Sequence, residues 1–216
     1  MTIDGLCSEP GSGRLAGWRE IFGDENVLVL ATHPGDETAL FGGFIARACA
    51  AGRPPFVAVL TDGSGGGGGP AQAGAQAGAQ AVAMRRERET RAAVARLGLD
   101  AERLLFVGLF DGSVPTGGGL WDAVVAAIDL VMWRNDCHVL CAASGGDGDT
   151  AAAASIAHAV VLRTGLRLVL RAGPGIAGGR VLDAREVRGA VQGARDAHRL
   201  VGGEGDLEAY FSAGSV

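Results

Sequence analysis

Val27-Leu28-Val29-Leu30, continuing as Ala31-Thr32-His33-Pro34-Gly35-Asp36-Glu37-Thr38-Ala39-Leu40-Phe41-Gly42-Gly43, is the stretch from which the fold is read. Four apolar residues, β-branched at every second position, read as a strand buried on both faces. The residues after them read as a loop leading into a helix. A histidine and two carboxylates therefore stand at the carboxyl end of a buried strand, where open α/β sheets place their ligands.

Working outward, four further apolar runs have strand character: Phe56 to Leu60, Leu104 to Val107, Val139 to Ala142 and Leu166 to Leu170. Helical stretches separate them, at roughly 38 to 51, 81 to 97, 119 to 133, 151 to 163 and 183 to 200. Parallel neighbours need crossover connections of this length, so the alternation predicts βαβ units and a mainly parallel sheet flanked by helices. One Rossmann-like α/β domain spanning 21–201 is expected, with an extension at 1–20 and a tail at 202–216. Residues 64–80 are low in complexity: a run of glycines, then an Ala-Gln-Ala-Gly repeat. They read as a flexible loop, since glycine loses the most backbone entropy on ordering. Their position beside the carboxyl end of the second strand also suits a mobile lid.

The chain of 216 residues suits one well-packed domain. No apolar run is long enough to span a bilayer, and the N-terminus lacks the basic start of a secretory signal. A cytoplasmic protein is expected. All 19 basic residues are arginine, and at a net charge of −5 they form no basic stripe, which argues against nucleic acid as a partner. Cys7, Cys49, Cys137 and Cys141 contain no C-x-x-C pair and read as buried free thiols.

His33-Pro34-Gly35-Asp36-Glu37 with Gly42-Gly43, Leu60-Thr61-Asp62-Gly63, Arg86-Glu87-Arg88-Glu89 and Gly108-Leu109-Phe110-Asp111-Gly112 occur in an order that resembles the LmbE-like or PIG-L-type de-N-acetylases. The resemblance covers roughly residues 25 to 170. It implies zinc-dependent hydrolysis of acetamido groups on sugars and related conjugates. It also implies two zinc ligands at His33 and Asp36, a general base at position 35, and a third ligand from a His-x-Asp-His stretch after the fourth strand. Here Gly35 stands where the family carries its aspartate base. The best counterpart of the second loop is Gly146-Asp147-Gly148-Asp149-Thr150-Ala151-Ala152, in which Asp149 replaces the first histidine and Ala152 the ligand histidine. His158 lies about 9 Å further along the helix at ~1.5 Å per residue and reads as a packing residue.

Three outcomes are consistent with these losses, the third being a purely structural interaction subunit, which predicts a large apolar surface patch. In the first, the chain has lost standard zinc hydrolysis and keeps a pocket for a small-molecule ligand or a partner protein, in a specialised biosynthetic pathway; such a chain needs no metal cofactor. In the second, His33, Asp36 and Asp147 hold a divalent metal, zinc or manganese, with Glu37 or Asp149 in a catalytic role. Asp147 and Asp149 have a plainer reading as turn and helix N-cap residues, and His33 and Asp36 as a hydrogen-bonded loop scaffold. Asp62 and Asp111 each precede glycine after a strand, which is ordinary turn chemistry, although Asp62 also suits a pocket lining. Arg86 is a candidate for an anionic ligand, against a plainer reading of the Arg85 to Glu89 segment as a solvated helix face. His138 reads as a strand start and His198 as part of the last helix. The tail residues Tyr210 and Phe211 suit either the core or a second subunit, so a homo-oligomer is also open.

Overall fold

The computed structural model describes residues 3–6, 14–16, 22–65, 73–146, 148–171, 180–182 and 188–201. The strands are β1 (Ile3–Leu6), β2 (Arg14–Ala16), β3 (Asn26–Ala31), β4 (Phe56–Thr61), β5 (Leu104–Leu109), β6 (Cys137–Ala143), β7 (Arg167–Arg171) and β8 (Arg180–Leu182). The helices are α1 (Asp36–Ala39), α2 (Gly42–Ala50), α3 (Ala73–Arg96), α4 (Gly118–Arg134), α5 (Gly148–Thr164) and α6 (Arg188–Val201). The sheet order is β2-β8-β1-β7-β6-β3-β4-β5, and every pairing among the described residues is parallel.

The five expected strands form the contiguous block β7-β6-β3-β4-β5. β3 sits at the centre: Leu30 pairs with Ala58 of β4 on one side and with Ala142 of β6 on the other. From β3 the chain winds one way through β4 and β5, then returns to the other side for β6 and β7. That reversal opens a crevice at the carboxyl ends of β3 and β6.

Alternation along the strands divides the core in two. Val27, Val29, Ala31, Val57 and Val59 face a layer with Phe44 and Ile45 of α2 and Ala93 and Val94 of α3. Leu28, Leu30, Ala58 and Leu60 face the opposite layer, against Val125 and Ile128 of α4 and Ile156 and Val160 of α5. Full burial of a side chain such as Ile45, Ile128 or Ile156 contributes about 1.5–3 kcal/mol. These two layers hold the strand ends, and hence the loops after them, in fixed relation.

The elements differ in places from the sequence-based expectation. The helix expected over 38 to 51 breaks into α1 and α2, with Leu40 and Phe41 between them. α3 begins at Ala73 rather than near 81, so most of the Ala-Gln-Ala-Gly repeat is helical; alanine and glutamine are good helix formers and outweigh the interspersed glycines. Residues 66–72 of the expected loop lie outside the described residues, as does the tail 202–216. The segment expected as an N-terminal extension contributes β1 and β2 to the sheet. β5 carries one extra residue against β4, since Val59 pairs with Phe106 but Thr61 with Leu109, and Gly108 takes a φ of 78° inside that bulge.

Cys137 and Cys141 are buried free thiols on β6 and Cys49 is half-buried on α2, while Cys7 lies outside the described residues. Burial pushes the Cys137 and Cys141 thiols well up, which keeps them protonated. No described helix is long and apolar enough to cross a membrane.

Candidate functional site

The loop after β3 is fastened by its own backbone. The Thr61 N–H donates to the Thr32 carbonyl (2.9 Å), and the Asp36 N–H to the His33 carbonyl (3.1 Å). Gly35 takes φ 109° and ψ −27° there, in the positive-φ region that side-chain-bearing residues rarely enter. Its N–H donates to Glu37 Oε2 (2.8 Å), and the Thr38 hydroxyl donates to Glu37 Oε1 (3.0 Å). Glu37 is completely buried, and these contacts tie its carboxylate to the loop.

Asp36 turns back on the same loop. Its Oδ2 accepts the His33 N–H at 2.9 Å and lies 3.4 Å from His33 Nδ1. The other ring nitrogen of His33, Nε2, faces two carboxylates from distant parts of the chain. Asp111 Oδ1, just past β5, is 3.2 Å away, and Asp149 Oδ2, in the first turn of α5, is 3.6 Å away. His33 and Asp149 are each 8% exposed, so the imidazole meets three carboxylates with little water to screen them.

The electrostatics follow from this packing. Burial is the largest single influence on His33 and favours the neutral ring, but hydrogen bonding and charge from Asp111 and Asp36 outweigh it and push the pKa up to about 10. Asp111 is held below its usual carboxylate range chiefly by its hydrogen bond to His33, with the Gly65 and Gly112 amides adding to the effect.

Further hydrogen bonds hold the loops together. Asp62 Oδ1 accepts the Ser64 N–H (2.9 Å), the Ser64 hydroxyl (2.6 Å) and the Asp111 N–H (3.2 Å), pinning the loop after β4 to the loop after β5. The Gly65 N–H donates to Asp111 Oδ2 (3.1 Å). A Cβ on Gly65 would lie 2.8 Å from the Asp111 carboxyl carbon, so this approach requires glycine. Asp149 accepts the Gly112 N–H at 2.6 Å and the Val114 N–H at 3.1 Å, and so clamps the Asp111 loop to α5.

Arg86 packs against the loops after β3 and β4. Its Cγ is 3.2 Å from where a Cβ on Gly63 would sit, a point that Pro34 also crowds, and its Nη1 is 3.3 Å from Glu89 Oε2. Glu89 is fully buried and also pairs with Arg85 (3.6 Å), whereas Glu87 and Arg91 form a solvent-facing pair at 2.7 Å. The Arg-Glu segment is thus divided between a buried anchor and a solvated face.

Of the residues singled out from the sequence, His33, Asp36 and Asp149 converge. Glu37 is buried within the loop after β3, Asp62 braces the loop after β5, Arg86 packs against the loops after β3 and β4, and Asp147 is outside the described residues. Ala152 is a buried methyl in the layer between α5 and the sheet. His158 is half-buried on α5 and His138 exposed on β6, while the side chain of His198 is outside the described residues. The residue that sequence reasoning left in a turn is Asp111. His33, Asp111 and Asp149 each bring one donor atom to a cluster whose atoms all lie within 4.8 Å of one another. One imidazole nitrogen and two carboxylate oxygens make a donor set suited to a zinc or manganese ion.

No curated protein matches the chain in sequence. Among solved structures, it is similar to N,N'-diacetylchitobiose deacetylase from Pyrococcus horikoshii complexed with its inhibitor MPG, at 17% identity over 89% of this chain and 80% of that one, with a TM-score of 0.64. The conserved protein TT1542 from Thermus thermophilus is 26% identical over 86% of this chain and 84% of that one, with a TM-score of 0.60. GalB, the 4-carboxy-2-hydroxymuconate hydratase from Pseudomonas putida KT2440, is 16% identical over 87% and 83%, with a TM-score of 0.58. A deacetylase and a hydratase share this fold, so the architecture alone does not fix the reaction. Residues 28–160, well over half of the chain, match the family profile described as GlcNAc-PI de-N-acetylase (PIG-L), and because that span carries every loop that meets at His33, the protein belongs to that family.

Proposed function

We propose that this family member has lost standard zinc-dependent N-acetyl hydrolysis and uses a pocket at the carboxyl ends of its strands to bind a small molecule, of the acetamido-sugar type that the similar N,N'-diacetylchitobiose deacetylase suggests, within a specialised biosynthetic pathway. One observation carries the reading. The residue in the position of the family's general base is Gly35, and its backbone at φ 109° is one an aspartate rarely adopts. The base is absent, and the loop has settled into a shape suited to glycine. Ala152 supports the same reading, since a buried methyl stands where the third zinc ligand is expected. Asp62, on the loop after β4, and Arg86, on α3, are the candidate ligand contacts.

A second reading is a working metal-dependent amide hydrolase with a rearranged site, favoured by the convergence of His33, Asp111 and Asp149. There the ion would be held by His33 Nε2, Asp111 and Asp149, with Asp36 orienting the ring through Nδ1, as second carboxylates do for histidine ligands. When bound, it would supply Lewis-acid polarisation of the amide carbonyl. Asp62 would keep the Asp111 loop in place. Glu37 and Asp149, the carboxylates considered for proton transfer, both accept hydrogen bonds from loop amides.

The experiment is metal analysis of the protein prepared without added metal and after zinc or manganese supplementation, followed by acetate-release assays on N-acetylglucosamine and N,N'-diacetylchitobiose and by calorimetric binding of the same sugars. The first reading expects saturable binding with no acetate release above a His33→Ala control. Acetate release that depends on supplied metal and disappears in Asp111→Asn would replace it with the second. Absence of both binding and release would remove the acetamido-sugar assignment.

A further inference from the structure

The family resemblance places a metal among His33, Asp36 and the position of Ala152, and these three do not form a site. The Ala152 side chain is a methyl group, buried in the layer between α5 and the sheet. Asp36 Oδ2 accepts the His33 N–H at 2.9 Å and faces ring nitrogen Nδ1 at 3.4 Å. The two imidazole nitrogens lie on different edges of the ring, so Asp36 stands away from any ion held by Nε2. Among the described residues the grouping of three donors forms on the Nε2 side instead, from His33, Asp111 and Asp149.

We infer that the cation centre of this chain has moved to the Nε2 side of His33, with Asp111 and Asp149 as its carboxylate ligands, and that it takes a divalent ion of the manganese class. Asp111 Oδ1 lies 3.2 Å and Asp149 Oδ2 3.6 Å from Nε2. An ion at about 2.0–2.2 Å from each donor separates neighbouring donors by about 2.8–3.6 Å, from octahedral to tetrahedral shells, and both distances fall in that range. The carboxylates are already held. Asp111 Oδ2 accepts the Gly65 N–H, and Asp149 accepts the Gly112 and Val114 N–H groups. Such hydrogen bonds fix the orientation of ligating carboxylates. The Asp111 side chain is 24% exposed, which leaves the ion a route to an otherwise buried centre. Exchanging an imidazole of the family's set for a carboxylate also changes the preferred ion. Imidazole suits zinc and carboxylate oxygen suits magnesium or manganese, so one imidazole with two carboxylates fits Mn(II). An ion there ties together the loops after β3 and β5 and the first turn of α5, a structural duty that needs no general base. The inference uses the ligand set of the second reading above, but rests neither on hydrolysis nor on sugar binding.

The test titrates the metal-stripped full chain with Mn(II), without sugar, and follows the loss of the free-ion electron paramagnetic resonance signal. One ion per chain should bind, and the unfolding midpoint should rise with Mn(II) concentration. Asp111→Asn, nearly isosteric and still able to accept the Gly65 amide, should weaken binding by at least about tenfold with unchanged circular dichroism. Asp36→Asn should weaken it less. Spin-echo spectra of Mn(II) on the wild type should carry an imidazole nitrogen coupling, a readout that does not depend on how any variant folds. A wild type that binds zinc but not Mn(II) overturns the ion class. No ion bound, no imidazole coupling, or binding that survives Asp111→Asn and is lost in Asp36→Asn overturns the centre. Because the titration contains no sugar, its failure is distinguishable from failure of the ligand reading: metal binding without sugar binding leaves this inference standing, and sugar binding without metal binding removes it.

Discussion

Returning the family's aspartate by Gly35→Asp should weaken the protein without restoring hydrolysis. At φ 109° and ψ −27° a residue with a Cβ is strained by about 1–3 kcal/mol. Losing a glycine also narrows the unfolded ensemble, which returns about 0.4–1 kcal/mol. The net loss is about 1–2 kcal/mol, which for a chain of this size lowers Tm by roughly 2–8 °C. Gly35→Ala carries the same backbone strain without a carboxylate, so it should fall within about 0.5 kcal/mol of Gly35→Asp. Thermal and urea unfolding of the two variants beside wild type give the numbers, and acetate release from metal-loaded Gly35→Asp gives the chemistry. A variant as stable as wild type, or one that hydrolyses acetamido sugars, would refute the argument that the loop has settled around glycine.

The hydrogen-bonded carboxylates and the buried imidazole lead to two more. Asp149→Ala removes the acceptor of the Gly112 and Val114 amides, and because Val114 is buried the orphaned donor should lower stability by about 1–3 kcal/mol; faster hydrogen exchange at residues 112–114 is the check, and unchanged exchange would mean that the clamp holds nothing. In the metal-free protein His33 has a folded pKa of about 10 against an ordinary value of 6.5, so the stability it contributes is fully present below pH 6.5 and is lost as pH rises through about 10. Unfolding midpoints measured across that window should fall with pH in wild type and fall less in His33→Gln.

The central block of the sheet is legible in the sequence because continuous apolar strands between amphipathic helices have few other ways to fold. β1, β2 and β8 are not, being three or four residues long and too short to show a period. His33 and Asp36 can be read from a strand end and a loop, both local signals. Asp111 cannot: an aspartate before glycine after a strand is ordinary turn chemistry, and its partner His33 lies 78 residues earlier, after a strand that reaches β5 only through β4. Assembly of the sheet makes the two neighbours. Asp149, read as a turn or helix N-cap residue, instead lies within the first turn of its helix and accepts amides of the loop after β5, while one of its oxygens faces the imidazole. The start of α3 escapes a reading that weighs glycine more heavily than the alanine and glutamine around it.

The bulge on β5 bears on how the molecule avoids unwanted association. Among the described residues β5 is the outermost strand on its side of the sheet, and a straight edge strand is a template on which another chain can add itself and seed aggregates. The extra residue at Val107 and Gly108 throws the backbone out of register, so an incoming strand finds an interrupted ladder of donors and acceptors. Above it, the Arg91 guanidinium lies 5.1 Å from the Phe106 ring centre, bringing a charge to the border. The chain thus blunts this sheet edge, which discourages the strand-on-strand addition from which fibres grow.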